Sequence, residues 1–277
     1  MPIDVASYLK FTPTDDTGSF TADTEGHVYY DDSEDALKHY DGSSWEKVNT
    51  IDVNYLRPGD GQYTVDSYTK LLIHSDTSNG STTFVDSSAN AHTLTVNNVA
   101  HSTTQAKIGG SSYFNEGDVT NHSRRILVAA NADWSFGTGN FTVEYWWYPT
   151  SWSSDSEGMF AMEGGRGDTF AMSNSQSSPQ TKVTIVFDYN GGDEDISNTG
   201  WQPTLDTWQH MAVVRSSGTV KFYVDGSEQD SFSADYNMSD TVDLSWGCGG
   251  NRANKDAYYD ELRVSNIARW TSNFTVY

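Results

Sequence analysis

The sequence predicts an all-β fold, a two-sheet antiparallel jelly-roll sandwich preceded by a small β-rich N-terminal module. Three features carry this prediction: ring-heavy apolar content, abundant turn residues, and alternating runs at regular spacing. Aromatic residues make up 13% of the 277 residues, with Trp 9, Tyr 16 and Phe 12. Rings suit the half-buried pleat of a strand better than a helix face. Gly 23, among many Ser, Thr, Asn and Asp, supplies many short connections rather than a few long helices.

The elements follow in order. The polar run Thr12–Thr24 reads as loop or ordered arm. Short apolar pieces at His27–Tyr30, Ala36–Tyr40 and Trp45–Val48, separated by Asp31-Asp32-Ser33 and Asp41-Gly42-Ser43-Ser44, predict a β-meander. Three short strands bury too little apolar area to stand alone, so this module needs a partner surface. The turn-rich Arg57-Pro58-Gly59-Asp60-Gly61 marks the junction, giving a module over 1–66 and a larger domain over 67–277. Within that domain, apolar or alternating runs occur at Lys70–His74, His92–Val96, Arg125–Val128, Phe141–Tyr148, Met159–Met162, Lys182–Phe187, His210–Arg215, Thr219–Val224, Val242–Trp246 and Tyr258–Val264. About ten strands at that spacing predict a sandwich or jelly roll. Ser265–Arg269 alone reads as briefly helical. Phe141, Val143, Tyr145 and Trp147 share one face of their strand, and Thr142, Glu144, Trp146 and Tyr148 the other. The second face is either covered by loops or lines a concave surface.

Charge narrows the function. Lys+Arg 16 against Asp+Glu 38 make an acidic protein of formal charge −22, which disfavours nucleic acid and anionic membranes as partners. No run approaches the roughly 20 apolar residues of a membrane span, so membrane insertion is not expected. Met1–Lys10 has neither the basic start nor the apolar middle of a signal peptide, and a cytoplasmic site of synthesis and assembly is expected. Cys248, the single cysteine, has no disulfide partner in the chain and reads as a small buried hydrophobe.

A set of ordered motifs carries a resemblance. Leu71-Leu-Ile-His-Ser-Asp76, Asp86-Ser-Ser with His92, Lys107–Phe114, Phe141–Pro149, Trp208–Arg215, Val220–Gly226, Tyr259–Ser265 and Ala268–Phe274 come in an order that resembles the laminin-G-like branch of the concanavalin A-like lectin/glucanase superfamily. The resemblance covers roughly 67–277 and implies a jelly roll. The first part is similar to short modules of bacteriophage tail and other virion proteins, through Gly26-His-Val-Tyr-Tyr30 and Asp41-Gly-Ser-Ser-Trp45.

The chemistry expected is binding rather than catalysis. Glucanases of the superfamily carry two glutamates around an aspartate on one strand, where period 2 places all three on one face. No such triplet occurs. Glu144 is alone on its strand, and Asp193-Glu194-Asp195 reads as loop, so no catalytic residue is assigned. The resemblance implies a structural calcium where the first and last strands meet, with Asp76 and Asp260 as candidate ligands; pairing of Asp260 with Arg263 is the alternative. Sugar binding needs flat rings beside amides and charged groups, and Trp152, Trp201, Asn251, Arg252 and Asn254 supply both. Each Trp taken alone is more often a lid on the core than a sugar platform, and Trp208 and His210 read as packing residues.

These features lead to a non-enzymatic virion protein whose module joins other virion proteins or forms a homotrimer. Its jelly roll then meets a host-surface glycan or decorates a head or tail. A free bacterial carbohydrate-binding or glucanase-like module with structural calcium is the alternative.

Overall fold

Alternation along the chain becomes two stacked antiparallel sheets. The computed structural model describes residues 28–31, 36–40, 45–47, 62–117, 124–152, 158–164, 167–174, 182–187, 195–234, 236–238, 241–247 and 256–276. The chain divides into two units, Met1–Thr64 and Val65–Tyr277. Asp66 therefore belongs to the second unit, where its carboxylate accepts Nη1 and Nη2 of Arg269 at 3.0 and 3.1 Å. In the first unit β1 (Val28–Asp31), β2 (Ala36–Tyr40) and β3 (Trp45–Lys47) form an antiparallel sheet in that order.

In the second unit one sheet has seven strands: β13 (Asp195–Asn198), β12 (Val183–Phe187), β11 (Gly167–Asn174), β10 (Gly158–Gly164), β17 (Val242–Trp246), β8 (Arg125–Asn131) and β5 (Leu94–Asn97), in that spatial order. The other sheet runs β16 (Ser227–Ser233), β15 (Thr219–Val224), β14 (Gln209–Ser216), β9 (Phe141–Pro149), β18 (Ala257–Ser265), β7 (Ser112–Asn115) and β6 (Ala100–Ser102), with β4 (Thr69–Ile73) paired to β18 as its eighth strand. The described residues hold no α-helix, only a 3-10 turn at Ala132–Trp134. Strands β6 and β16 escape the apolar pattern because they lie at sheet edges, where few positions face the core.

The turns follow from local chemistry. Asp225 and Gly226 have φ of 48° and 74°, as a type I′ turn requires, and join β15 to β16 with Val224 opposite Ser227. Gly226 also meets the chain end: Phe274 N–H donates to its carbonyl at 2.9 Å, and a Cβ there would strike the Phe274 carbonyl. Between the sheets the alternation of β9 holds, with Phe141, Val143, Tyr145 and Trp147 all in the core. Phe170 stacks on Phe187 at 4.9 Å, and Tyr113 on Tyr259 at 5.0 Å. Arg215, fully buried, donates to the carbonyls of Gly139, Tyr236 and Gly137 at 2.7, 2.9 and 2.6 Å and clamps the turn before β9. Those carbonyls solvate a charge that burial alone would make costly, and burial lowers the guanidinium pKa to about 10.

The expectation of a helix at Ser265–Arg269 is corrected. Ser265 closes β18 opposite Thr69, and the chain then continues as an irregular strap over the outer face of the eight-stranded sheet. Its apolar residues Ala268, Trp270 and Phe274 pack on a second cluster of Ala212, Val214 and Tyr223. Trp270 and Phe274 stack at 3.8 Å, 6° from parallel. A helix would turn those residues away from the flat sheet, whereas an open strap lays them on it. Replacing Trp270 by Ala is expected to cost about 2 kcal/mol in urea unfolding, less than a fully buried ring because the indole is half-buried. An unchanged midpoint would show that the strap does not hold this face.

Candidate functional site

The outer face of the eight-stranded sheet is built by β9 and β18. Asp260 lies opposite Trp146 and Arg263 opposite Glu144, so three steps on β18 span two on β9. The extra residue is a β-bulge, with Glu261 at φ 49°. In a regular strand Asp260 and Arg263 would face opposite ways; the bulge brings both to the outer side. Glu261 itself, fully buried, sits 2.8 and 3.0 Å through its two oxygens from Nδ1 of His74.

Arg263 Nε donates to Glu144 Oε1 at 2.7 Å, and Nη2 of Arg263 is also 2.7 Å away. Nε2 of His210 lies 3.2 Å from Oε2. Arg269, from the strap, approaches Oε1 at 3.6 Å and bonds Asp66 beyond it. Glu144 has no exposure at all. Burial alone would raise its pKa, but the charge of Arg263, the hydrogen bond and charge of His210, and the charge of Arg269 outweigh it and hold the group at about 2. Above this network the rings of Trp270 and Phe274 stand edge-on to His210 at 5.9 and 5.8 Å. A carboxylate so paired and roofed is neither a general acid nor a nucleophile at neutral pH. His210 is the buried, bonded histidine that its position in the sequence suggests.

The two candidate metal ligands bond the same loop, Lys107–Gly110. Asp260 Oδ2 accepts the backbone N–H groups of Lys107 and Ile108, each at 3.0 Å, and Oδ1 accepts that of Glu261 at 3.0 Å. Asp76 Oδ1 accepts Gly110 N–H at 3.1 Å, and its carboxylate fills the space a Cβ at Gly109, φ +64°, would need. Burial first, and then the nearby charges of Glu261 and Asp76, push the Asp260 pKa well above the ordinary carboxylate range, against the lowering effect of the two loop amides. The donor chemistry fits a hard cation: two crowded carboxylates gain from a positive charge between them. Among the described residues no group of three or more His, Cys, Asp or Glu side chains converges, so a cation here would need its other oxygens from backbone or water. Asp260 does not pair with Arg263, which belongs to Glu144.

Two of the five candidate sugar residues lie among the described residues. Trp152 packs on the core, edge-on to Trp147 at 5.4 Å, and Trp201 does so against Phe222 at 5.7 Å. Each indole is a lid over the sandwich, with part of its surface left at the rim. Asn251, Arg252 and Asn254 lie outside the described residues, as do Cys248, Asp193 and Glu194.

A different constellation occupies the open end of the outer face. Phe114 of β7 lies opposite Tyr258 of β18, which lies opposite Tyr148 of β9. Their centroids follow at 4.6 and 5.9 Å, and Trp208, at the entrance to β14, continues the row at 5.5 Å from Tyr148. Phe114 also lines a groove of about 740 Å³ with Leu94, Val96 and Val99, rimmed by Asn98, Glu116 and Arg124. Arg124 Nη1 donates to Glu116 Oε2 at 2.7 Å. The alternation of β9 places Tyr148 on this face, but the row requires the β7, β18 and β9 registers, which no local pattern encodes.

Two antiparallel sheets in this order define a jelly roll of the lectin type. The laminin G family model described as the concanavalin A-like lectin/glucanases superfamily matches residues 121–272, more than half of the chain, and the protein belongs to that superfamily. Comparison with curated proteins by sequence gives no match. Among solved structures, the binding domain of Paraclostridial Mosquitocidal Protein 1 is similar at TM-score 0.57 and 14% identity, covering 73% of this chain and 49% of that one. The botulinum neurotoxin DC binding domain, in complex with rat synaptotagmin II, is similar at 0.56 and 12%, with coverage of 74% and 49%. A botulinum neurotoxin type C structure, whose cell entry depends upon interaction with two ganglioside molecules, is similar at 0.55 and 12%, with 73% and 48%. The chain spans about half the length of these proteins, and at such identity the likeness concerns the fold.

The Glu144 network makes a prediction about acid. A carboxyl group whose pKa falls from 4.5 to about 2 on folding stabilises the fold above pH 4.5 and loses that contribution as pH drops toward 2. Glu144→Gln is expected to cost about 3 kcal/mol at pH 7 and to flatten the decline of stability between pH 4.5 and 2, read by urea unfolding across a pH series. Parallel pH profiles for the two chains would place the acid sensitivity elsewhere.

Proposed function

We propose that the protein is a non-enzymatic, glycan-binding component of a bacteriophage particle. The first module joins it to other virion proteins, or to two further copies as a trimer, and the jelly roll is displayed at the virion surface toward the host or as a head or tail decoration. The observation that carries the non-catalytic reading is the state of Glu144: in a superfamily that includes glucanases, this chain uses the carboxylate of its central strand to neutralise Arg263 beneath a strap. The virion placement rests on Gly26–Tyr30 and Asp41–Trp45, the dependence of a three-stranded module on a partner surface, and the charge of −22, which keeps a displayed domain soluble and off nucleic acid. The full chain is expected to co-sediment with phage particles and to bind host-surface glycans on an array without hydrolysing them. Sugar release from a β-glucan would instead establish the enzyme alternative.

A structural calcium belongs to this reading. Asp76 and Asp260 would hold it, where it would supply positive charge to two crowded carboxylates and tie the loop around Gly109 to β18. Millimolar calcium is expected to raise the Tm of the full chain and a chelator to lower it, with the response absent in Asp260→Asn, because a cation bound only by the folded form stabilises that form. Superimposable melting curves would remove the ion.

A further inference from the structure

We propose that the row Phe114, Tyr258, Tyr148 and Trp208, with the groove that Phe114 shares, is the binding site for a neutral oligosaccharide chain lying across the strands. The proposal rests on the glycan-binding reading above and names the place and the ligand class. Three of the four rings occupy consecutive register positions on neighbouring strands, and strand spacing sets their step at roughly 4.8 Å, close to the advance of one pyranose unit in an extended chain. With Trp208 the row accommodates about three sugar units at that step. Phe114, Tyr148 and Trp208 are half-buried and Tyr258 is buried at 8% exposed, with Phe114 stacked on it, so the accessible part of the row is the outer edge of Phe114 and the partly exposed rings of Tyr148 and Trp208. Flat apolar rings with polar tips suit the C–H faces of a sugar and its hydroxyls together.

The surroundings select the ligand. The strap's rings cover the other half of this face, at His210 and Tyr223, and so delimit the open part. At the groove end, Glu116, its side chain 64% exposed, is held 2.7 Å from Arg124, so the two opposite charges at the rim offset each other locally. Thr82 and Asn98 add hydroxyl and amide groups beside them. A volume of about 740 Å³ suits a small ligand, and the lining combines the Phe114 ring and the aliphatic Leu94, Val96 and Val99 with the polar Thr82, Asn98, Glu116 and Arg124, apolar surface beside a few polar groups as a small-ligand site needs. A polyanionic glycan meets a chain of charge −22, whereas a neutral one does not.

The test uses the full chain on an array carrying neutral and acidic glycans, followed by titration of the strongest neutral binder. Trp208→Ala and Tyr148→Ala are expected to weaken that binding roughly tenfold each, Trp208→Phe to restore most of it, and Trp152→Ala and Trp201→Ala to leave it within twofold. If Tyr148→Ala does not fold, Tyr148→Leu keeps apolar volume without the ring and is expected to show the same loss. Neutral binding that survives the ring substitutions overturns this site and leaves the glycan reading standing. Binding of acidic glycans only overturns the ligand class. A dimer that Trp208→Ala dissociates in sedimentation makes the row an interface between copies and overturns the proposal, and no binding anywhere on the array overturns both this inference and the reading beneath it.

Discussion

A negative charge with no exposure sits at the centre of the eight-stranded sheet, and the arrangement of the outer face follows from compensating it. Glu144 needs a cation within hydrogen-bonding distance, because an unpaired buried carboxylate costs far more than one interaction returns. β18 provides Arg263 only because the bulge at Glu261 turns that side chain outward, and the strap contributes Arg269 only because it leaves β18 at Ser265 and doubles back. The pair in turn needs shelter from water to stay strong, which Trp270 and Phe274 supply. Bulge, strap and network therefore form one device, and removing any part leaves a charge or an apolar patch uncovered.

The same device divides the outer face. Beneath the strap the surface is closed and belongs to stability. Beyond it, toward β7 and β6, the rings of Phe114, Tyr258 and Tyr148 stand in register, Phe114 and Tyr148 half-buried and Tyr258 buried between them. Half-buried rings in a row form a larger apolar patch than scattered ones, and polar neighbours at the groove rim are what a binding surface adds to such a patch. The central carboxylate here serves the architecture of the outer face, and the rings beyond the strap are the ones proposed for contact.

Much of this was legible in the sequence, for reasons that differ by element. Period 2 in Phe141–Tyr148 assigned both faces of β9 correctly, because a central strand must bury one side completely. Asp225-Gly226 declared its turn through the φ values those residues tolerate. Helix over Ser265–Arg269 misled because spacing of apolar residues does not distinguish a helix from an irregular strap whose partner lies far away in sequence. Trp152 and Trp201 drew suspicion as loop indoles, yet a tryptophan beside a sandwich core finds more contact by folding over it. The ring row was illegible for the complementary reason: Phe114, Tyr148, Trp208 and Tyr258 become neighbours only through long-range register.

Asp260 shows how one residue type carries two opposed demands. Its oxygens accept three backbone amides, which favour the ionised form, while burial and the charges of Glu261 and Asp76 oppose it more strongly. The amides fix the loop at Lys107–Ile108 to β18, a structural gain, but they do not remove the repulsion among the carboxylates. A proton or a hard cation removes it, and the two differ in consequence: protonation gives up amide bonding at one oxygen, whereas a cation keeps both oxygens charged. The proposed calcium would therefore meet both demands on this carboxylate where a proton meets one.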